Sequence, residues 1–142
     1  AKWPDHIKVS VNVSAVQFKG AGLSNLVISA IAAAGLRPDR LEIEITESLL
    51  MQNIEGNIDK LKDIREHGIR IAVDDFGAED SDFERITALR PDIVKFDAAW
   101  IGRLMRSASG YGLLKSMIGR LTDLGIETVI EGIEESWQLE LT

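Results

Sequence analysis

The chain contains no cysteine, two histidines, three prolines and a single tyrosine among 142 residues. Without cysteine, disulfides and thiolate metal sites are excluded. His6 sits in a polar lead-in and His67 at the end of a helical pattern, so both read as surface positions and not as a zinc centre. No apolar run approaches the ~20 residues that span a bilayer. Ala1 to His6 lacks the apolar centre of a secretory leader, so neither a membrane span nor a leader is expected in these residues. Positive charge is also scarce: 16 Lys and Arg face 23 Asp and Glu, a net charge of −7. That balance argues against a groove for DNA or RNA polymer, whose affinity comes from neutralising phosphates. An anionic ligand would need local lysine or metal to offset the field. What the chain does have is an ordinary hydrophobic fraction, 45%, enough for a folded core.

Strand and helix patterns alternate. Residues 8–14 place Val9, Val11 and Val13 on one face and Ser10, Asn12 and Ser14 on the other, which reads as a strand. Ser24 is a plausible cap for an apolar helix running to Ala34 and stopped by Gly35. A second strand over 41–47 separates Leu41, Ile43 and Ile45 from Glu42, Glu44 and Thr46. A helix from Asn53 to His67 aligns Ile54, Ile58, Leu61 and Ile64, and Gly68 ends it. Further strands are expected at 69–76, 93–97 and 126–133. Between them lie a short helix with Phe83, Ile86 and Leu89 inward, a helical turn at Trp100 to Met105, and a helix from Tyr111 to Leu124 stopped by Gly125. Ser136 to Leu141 begins another helix. Strands joined through helices of this length are parallel. Parallel β/α units build a doubly wound sheet or a barrel, and both bind ligands at the C-terminal ends of their strands. Five such units extrapolate to the about 250 residues of an eight-stranded β/α barrel, with this chain as its central portion.

Each strand carries polar groups near that end: Asn12, Glu44, Asp74 with Asp75, Lys95 with Asp97, and Glu131. Charged groups within apolar strands are costly to desolvate unless paired or metal-bound. Asn12, Glu44, Asp74 and Asp75 offer only oxygen, which suits Mg²⁺ or Mn²⁺. Neighbouring Asp74 and Asp75 face opposite ways on a regular strand, but a bend before Phe76-Gly77 would turn both to the mouth. Two cations about 3.5–4 Å apart are the usual device for in-line attack on a phosphodiester. Lys95 would then hold the attacking water or a phosphate oxygen, and Glu131 would complete a metal shell. Structural alternatives stand beside each reading. Asp74-Asp75 suits a turn or helix cap, Glu44 and Glu47 an exposed strand face, Asn12 a backbone hydrogen bond, and Lys95 with Asp97 mutual neutralisation. Trp3, Trp100 and Trp137 read as packing residues.

Val11-Asn12-Val13-Ser14, Glu44-Ile45-Thr46-Glu47-Ser48, Asp74-Asp75-Phe76-Gly77, Lys95-Phe96-Asp97 and Glu131-Gly132-Ile133-Glu134 resemble, in order and spacing, the motifs of EAL domains. That resemblance implies an α/β fold, a (β/α)8 TIM-type barrel of which this chain covers about five central units. It implies hydrolysis of cyclic di-GMP to linear pGpG with Mg²⁺ or Mn²⁺ at a two-metal site. By the same resemblance Asn12, Glu44 and Asp74 hold one metal and Asp74 and Asp75 the other. Lys95 orients the water, Glu131 and Glu134 serve the second metal and its surroundings, Glu47 braces the loop after Asp75, and Asp97 supports the same region. A homodimer, sensor or GGDEF domains outside this chain and a cytoplasmic setting are further implications, with any membrane anchor elsewhere in the parent.

Two departures qualify it. The Glu-Ala-Leu strand that names the family and its late glutamine are absent from residues 1–142, so the expectation is a partial EAL domain. Where the family has Asp-Phe-Gly-Thr-Gly-Tyr-Ser-Ser, this chain has Asp75-Phe76-Gly77-Ala78-Glu79-Asp80-Ser81-Asp82. Glu79 replaces a glycine that reaches positive φ easily. The altered loop keeps two alternatives open, a degenerate receptor that binds cyclic di-GMP without cutting it and an inactive fragment.

Overall fold

The computed structural model describes residues 4–20, 22–77 and 82–131. Two compact units divide the chain, Ala1–Ala72 and Val73–Thr142. The expected helix at Ser136 to Leu141, with Trp3 and Trp137, lies outside the described residues.

In the first unit, β1 (Val9–Asn12) pairs in parallel with β2 (Leu41–Thr46), Val9 opposite Leu41 and Asn12 opposite Glu44. β1 is shorter than the alternation suggests because Ser14 opens a helix. Its hydroxyl accepts from the Gln17 backbone while the Gln17 side chain accepts from the Ser14 backbone, so a capping box starts α1 (Ala15–Lys19). That S-x-x-Q signal was present in the sequence, although the period-2 pattern reads through it. Val11 is 43% exposed, so the apolar face of β1 is not a core face along its whole length.

β2 is buried on both faces, Glu42 and Glu44 included. The exposed-face reading of Glu44 and Glu47 is thereby overturned. Parallel strands are covered by helices on both sides, so alternating polarity there marks buried, engaged carboxylates and not solvent. Glu42 shows how such a group is held: Ser10 Oγ donates to it at 3.0 Å and Arg70 lies 4.0 Å away.

α2 (Leu23–Ala34) is capped by Gly22, at φ 92°, and not by the expected Ser24, which lies inside its first turn. Glu47 belongs to a separate short helix, α3 (Glu47–Met51), and not to β2. α4 (Ile54–Glu66) buries Asn57, Leu61 and Ile64 while Ile58 is exposed, so the buried stripe is rotated from the apolar one. Asn57 takes the place of Ile58 because its side-chain amide donates to the Leu50 carbonyl at 2.9 Å, tying α4 to α3.

β3 (Arg70–Phe76) runs from the first unit into the second. The second unit continues with α5 (Phe83–Leu89), β4 (Ile93–Phe96), α6 (Ala98–Leu104), α7 (Ala108–Asp123) and β5 (Glu127–Ile130). β4 and β5 pair in parallel, Lys95 opposite Val129. Ser107 caps α7, which starts at Ala108, three residues before the expected start at Tyr111. Gly35, Gly68 and Gly125, the three helix stops legible in the sequence, all hold positive φ.

The core of this unit is aromatic. Phe96 and Trp100 stack with their planes 3° apart, and Phe76 meets both edge-on, at 5.5 Å and 5.9 Å between centroids. Trp100 is thus the packing residue that its sequence context suggests.

Candidate functional site

In the first unit the register sets Asn12 beside Glu44 at the C-terminal ends of β1 and β2. The Val13 amide donates to the Glu44 carbonyl at 2.9 Å, and the Ser14 cap then turns the chain away into α1. Two oxygen donors are therefore fixed by a strand pair and a helix start. Asn12 is exposed, whereas Glu44 is 6% exposed. Glu47 is also buried, at the first turn of α3. Its expected role toward the loop after Asp75 concerns residues 78–81, which lie outside the described residues, as do Glu79, Asp80 and Glu134.

The second unit holds the remaining candidates. Asp75 has φ 56°, a left-handed conformation in the last turn of a strand. Such a residue breaks the period-2 alternation, which is the bend needed for neighbouring Asp74 and Asp75 to escape opposite faces. Left-handed geometry is uncommon outside glycine, but Asp and Asn adopt it more readily than others. The Asp75 amide donates to the Asp74 carboxylate at 3.0 Å, which holds the turn. Gly77 follows at φ 95°, with the Trp100 ring packed so closely that an added Cβ would lie 2.3 Å from it.

Lys95, on β4, donates to the Glu131 carboxylate at 2.9 Å. The lysine side chain is 12% exposed and the glutamate 54%. The Asp97 carboxylate accepts instead from the Trp100 amide at 2.6 Å and caps α6, while the Asp97 amide donates to the Phe76 carbonyl at 3.0 Å. Asp97 therefore positions the strand end beside Asp75 through its backbone and starts the helix that carries Trp100. His6 and His67 are exposed, as the sequence implies.

Burial pushes the Asp74 carboxyl above the usual carboxylate range. The charges of Asp75 and Glu131 add to that rise, against the Asp75 amide and Lys95. Folded Asp74 thus holds its proton more tightly than the unfolded chain does. The contribution of Asp74 to folding is therefore most favourable in acid and is lost as pH rises through its folded pKa. In metal-free protein, Asp74→Asn is expected to melt at a higher temperature than the parent at neutral pH, with the gap closing in acid. Identical gaps at both pH values, in melts with chelator present, would refute this.

Among the described residues no group of three or more Asp, Glu, His or Cys side chains forms a metal-holding cluster. What is brought together is Asn12 with Glu44, Asp74 with Asp75, and Lys95 with Glu131. All the candidate ligands are oxygen donors, and burial together with the nearby charges of Asp75 and Glu131 makes an ionised Asp74 carboxylate costly, a cost that a hard cation would relieve. A cavity of about 310 Å³ in the first unit, lined by Phe18, Lys19, Leu49, Gln52, Asn53, Asn57 and Lys60, includes none of them. Sequence reasoning did not pair Gly77 with Trp100, because their close approach leaves no local pattern.

Over residues 1–142 the chain matches the EAL domain family. It belongs to that family. It is 34% identical to the uncharacterised protein y4lL of Sinorhizobium fredii over 98% of this chain and 17% of that protein. It is 33% identical to the cyclic di-GMP phosphodiesterase NbdA of Pseudomonas aeruginosa, over 95% of this chain and 17% of that protein. Among solved structures, the PaMucR phosphodiesterase in complex with c-di-GMP matches with a TM-score of 0.83 and 29% identity, over 94% of this chain and 54% of that one. Klebsiella pneumoniae BlrP1, solved with manganese and cyclic di-GMP, matches with a TM-score of 0.80 and 30% identity, over 89% of this chain and 33% of that one. The EAL chain thus spans about a sixth of the curated relatives' length and has the α/β, TIM-barrel-type fold class of those domains. No helix among its described residues is long and apolar enough to cross a membrane.

Proposed function

We propose that this chain is the central portion of an EAL domain that hydrolyses cyclic di-GMP to linear pGpG in bacterial second-messenger signalling. The observation that carries the reading is the Asp74-Asp75 pair, turned out of strand alternation at φ 56°, in the same unit as the Lys95–Glu131 pair. Asn12, Glu44 and Asp74 would hold one Mg²⁺ or Mn²⁺, and Asp74 with Asp75 the other. Bound cations would acidify a water and neutralise charge growing on the phosphate. Lys95 orients that water or a phosphate oxygen, and Glu131 keeps Lys95 aimed. Glu134 serves the surroundings of the second cation, Glu47 braces the loop after Asp75, and Asp97 holds the strand end. Support for divalent metal and substrate comes from the manganese and cyclic di-GMP complex of BlrP1.

The missing strands, a homodimer contact and attached sensor or GGDEF domains belong, on this reading, to the rest of a cytoplasmic signalling protein or of one anchored elsewhere. Relatives far longer than this chain, such as the bifunctional diguanylate cyclase and phosphodiesterase MucR, support that architecture. A receptor that binds without cutting is the second reading, favoured by Ala78-Glu79-Asp80 in place of Thr-Gly-Tyr. Purified full-length protein incubated with cyclic di-GMP and Mn²⁺ separates them. Accumulating pGpG supports hydrolysis, whereas retained binding without product supports the receptor.

A further inference from the structure

The short helices that follow two ligand-bearing strands are each pinned in the same way. In the second unit, α5 begins with Phe83, whose ring meets Phe76 edge-on at 6.2 Å. Phe76 directly follows Asp75. The Arg120 guanidinium of α7 lies over the same Phe83 ring, 5.6 Å from its centroid. Arg120 also donates through both terminal nitrogens to the Glu84 carboxylate, at 2.5 Å and 2.8 Å. In the first unit, α1 follows Asn12 and carries buried Phe18. Lys60 of α4 lies 5.4 Å from the Phe18 ring centroid and donates to the Phe18 carbonyl at 2.8 Å. Each cation therefore comes from the long helix of the following β/α unit and grips both the ring and a polar group of the short helix.

A lone exposed ion pair contributes little. Here the geometry is different, because each cation makes two directed contacts with one target and the guanidinium pairing is two-pronged. The segment being gripped also needs support. A non-glycine residue at positive φ is retained only when its surroundings fix it. The Asp75 amide donates to the Asp74 carboxylate, and a chain of ring contacts leads from its neighbour Phe76 through Phe83 to Arg120.

We propose that Arg120 and Lys60 are positioning residues, cation braces that hold the Asp74–Gly77 turn and the Asn12–Ser14 turn in their ligand-presenting conformations. Arg120 acts through Phe83 and Phe76, and Lys60 through Phe18; neither touches a candidate ligand. The proposal rests on the metal-site reading for its purpose but not for its test.

Residue-resolved hydrogen exchange on the full-length protein, without metal, reads the braces directly. Arg120→Gln is expected to speed exchange of the Asp75 amide about five-fold, the scale of one solvent-exposed cation–π contact with its ion pair. Lys60→Gln should do the same for the Phe18 amide, which donates to Ser14. Core amides such as Ala72 should be unchanged, and Arg120→Lys, which keeps the charge over the ring, should recover part of the protection. Unchanged exchange at Asp75 in Arg120→Gln, or a rise spread equally over the core, overturns the brace. Manganese titration of the same proteins tests the other reading separately. Parent protein that binds no Mn²⁺ defeats the metal site alone, whereas equal Mn²⁺ affinity in parent and Arg120→Gln, alongside altered exchange, limits the brace to the turn.

Discussion

Asp74→Ala is expected to lower cyclic di-GMP turnover by about a thousandfold or more, with nucleotide binding reduced far less. Asp74 is the one residue proposed to touch both cations, so its loss removes several kcal/mol of transition-state stabilisation at once. Its side chain also accepts the Asp75 amide, so the same substitution releases the left-handed turn that presents the second carboxylate. A steady-state assay of pGpG formation on the full-length protein, with Mn²⁺ saturating, measures the effect. Turnover within tenfold of the parent would mean that Asp74 is not a metal bridge. Parent protein with no turnover, whose cyclic di-GMP affinity is untouched by Asp74→Ala, would mean that the altered loop has left a receptor.

Gly77→Ala is the second large effect, this time on stability. At φ 95° a Cβ is strained by about 1–2 kcal/mol. The same Cβ would lie 2.3, 2.5 and 2.8 Å from three atoms of the Trp100 ring. That ring cannot swing aside cheaply, because it stacks on Phe96 and its backbone amide is bonded to Asp97. Displacing it adds about 1–3 kcal/mol more, as for other overpacked cores. A loss of about 2–5 kcal/mol is a large part of a typical domain's stability. Gly102→Ala in α6 is the matched control, since nothing lies within 4 Å of its added Cβ. It should be neutral or mildly stabilising. Chemical denaturation of the two variants decides the matter, and equal midpoints would show that Trp100 relaxes freely.

Much of this was legible in the order of residues. Strand positions followed from alternation, helix ends from Gly35, Gly68 and Gly125, and the candidate ligands from polar residues recurring at strand ends. What escaped has physical causes. α1 and α3 are five residues each, too short for an apolar period to register, and only the Ser14–Gln17 box announced one of them. Glu44 and Glu47 allowed a solvent-face reading because alternation cannot distinguish water from a second packed layer. Ile58 and Asn57 exchanged their expected places because a hydrogen bond to Leu50 outweighed one residue of apolar spacing. The contacts of Arg120 with Phe83 and Glu84, 36 or more positions away in the chain, leave no local trace at all.

The left-handed Asp75 carries a consequence for anyone who would redesign this protein. By backbone criteria alone it is, with Arg90, one of the two non-glycine positions at positive φ among the described residues, where glycine would occupy the same torsion without penalty. A programme guided by melting temperature would therefore be drawn to the residue whose charge the proposed chemistry needs. Robustness and reactivity compete here at a single torsion angle, and an improved score at position 75 should be read as a warning.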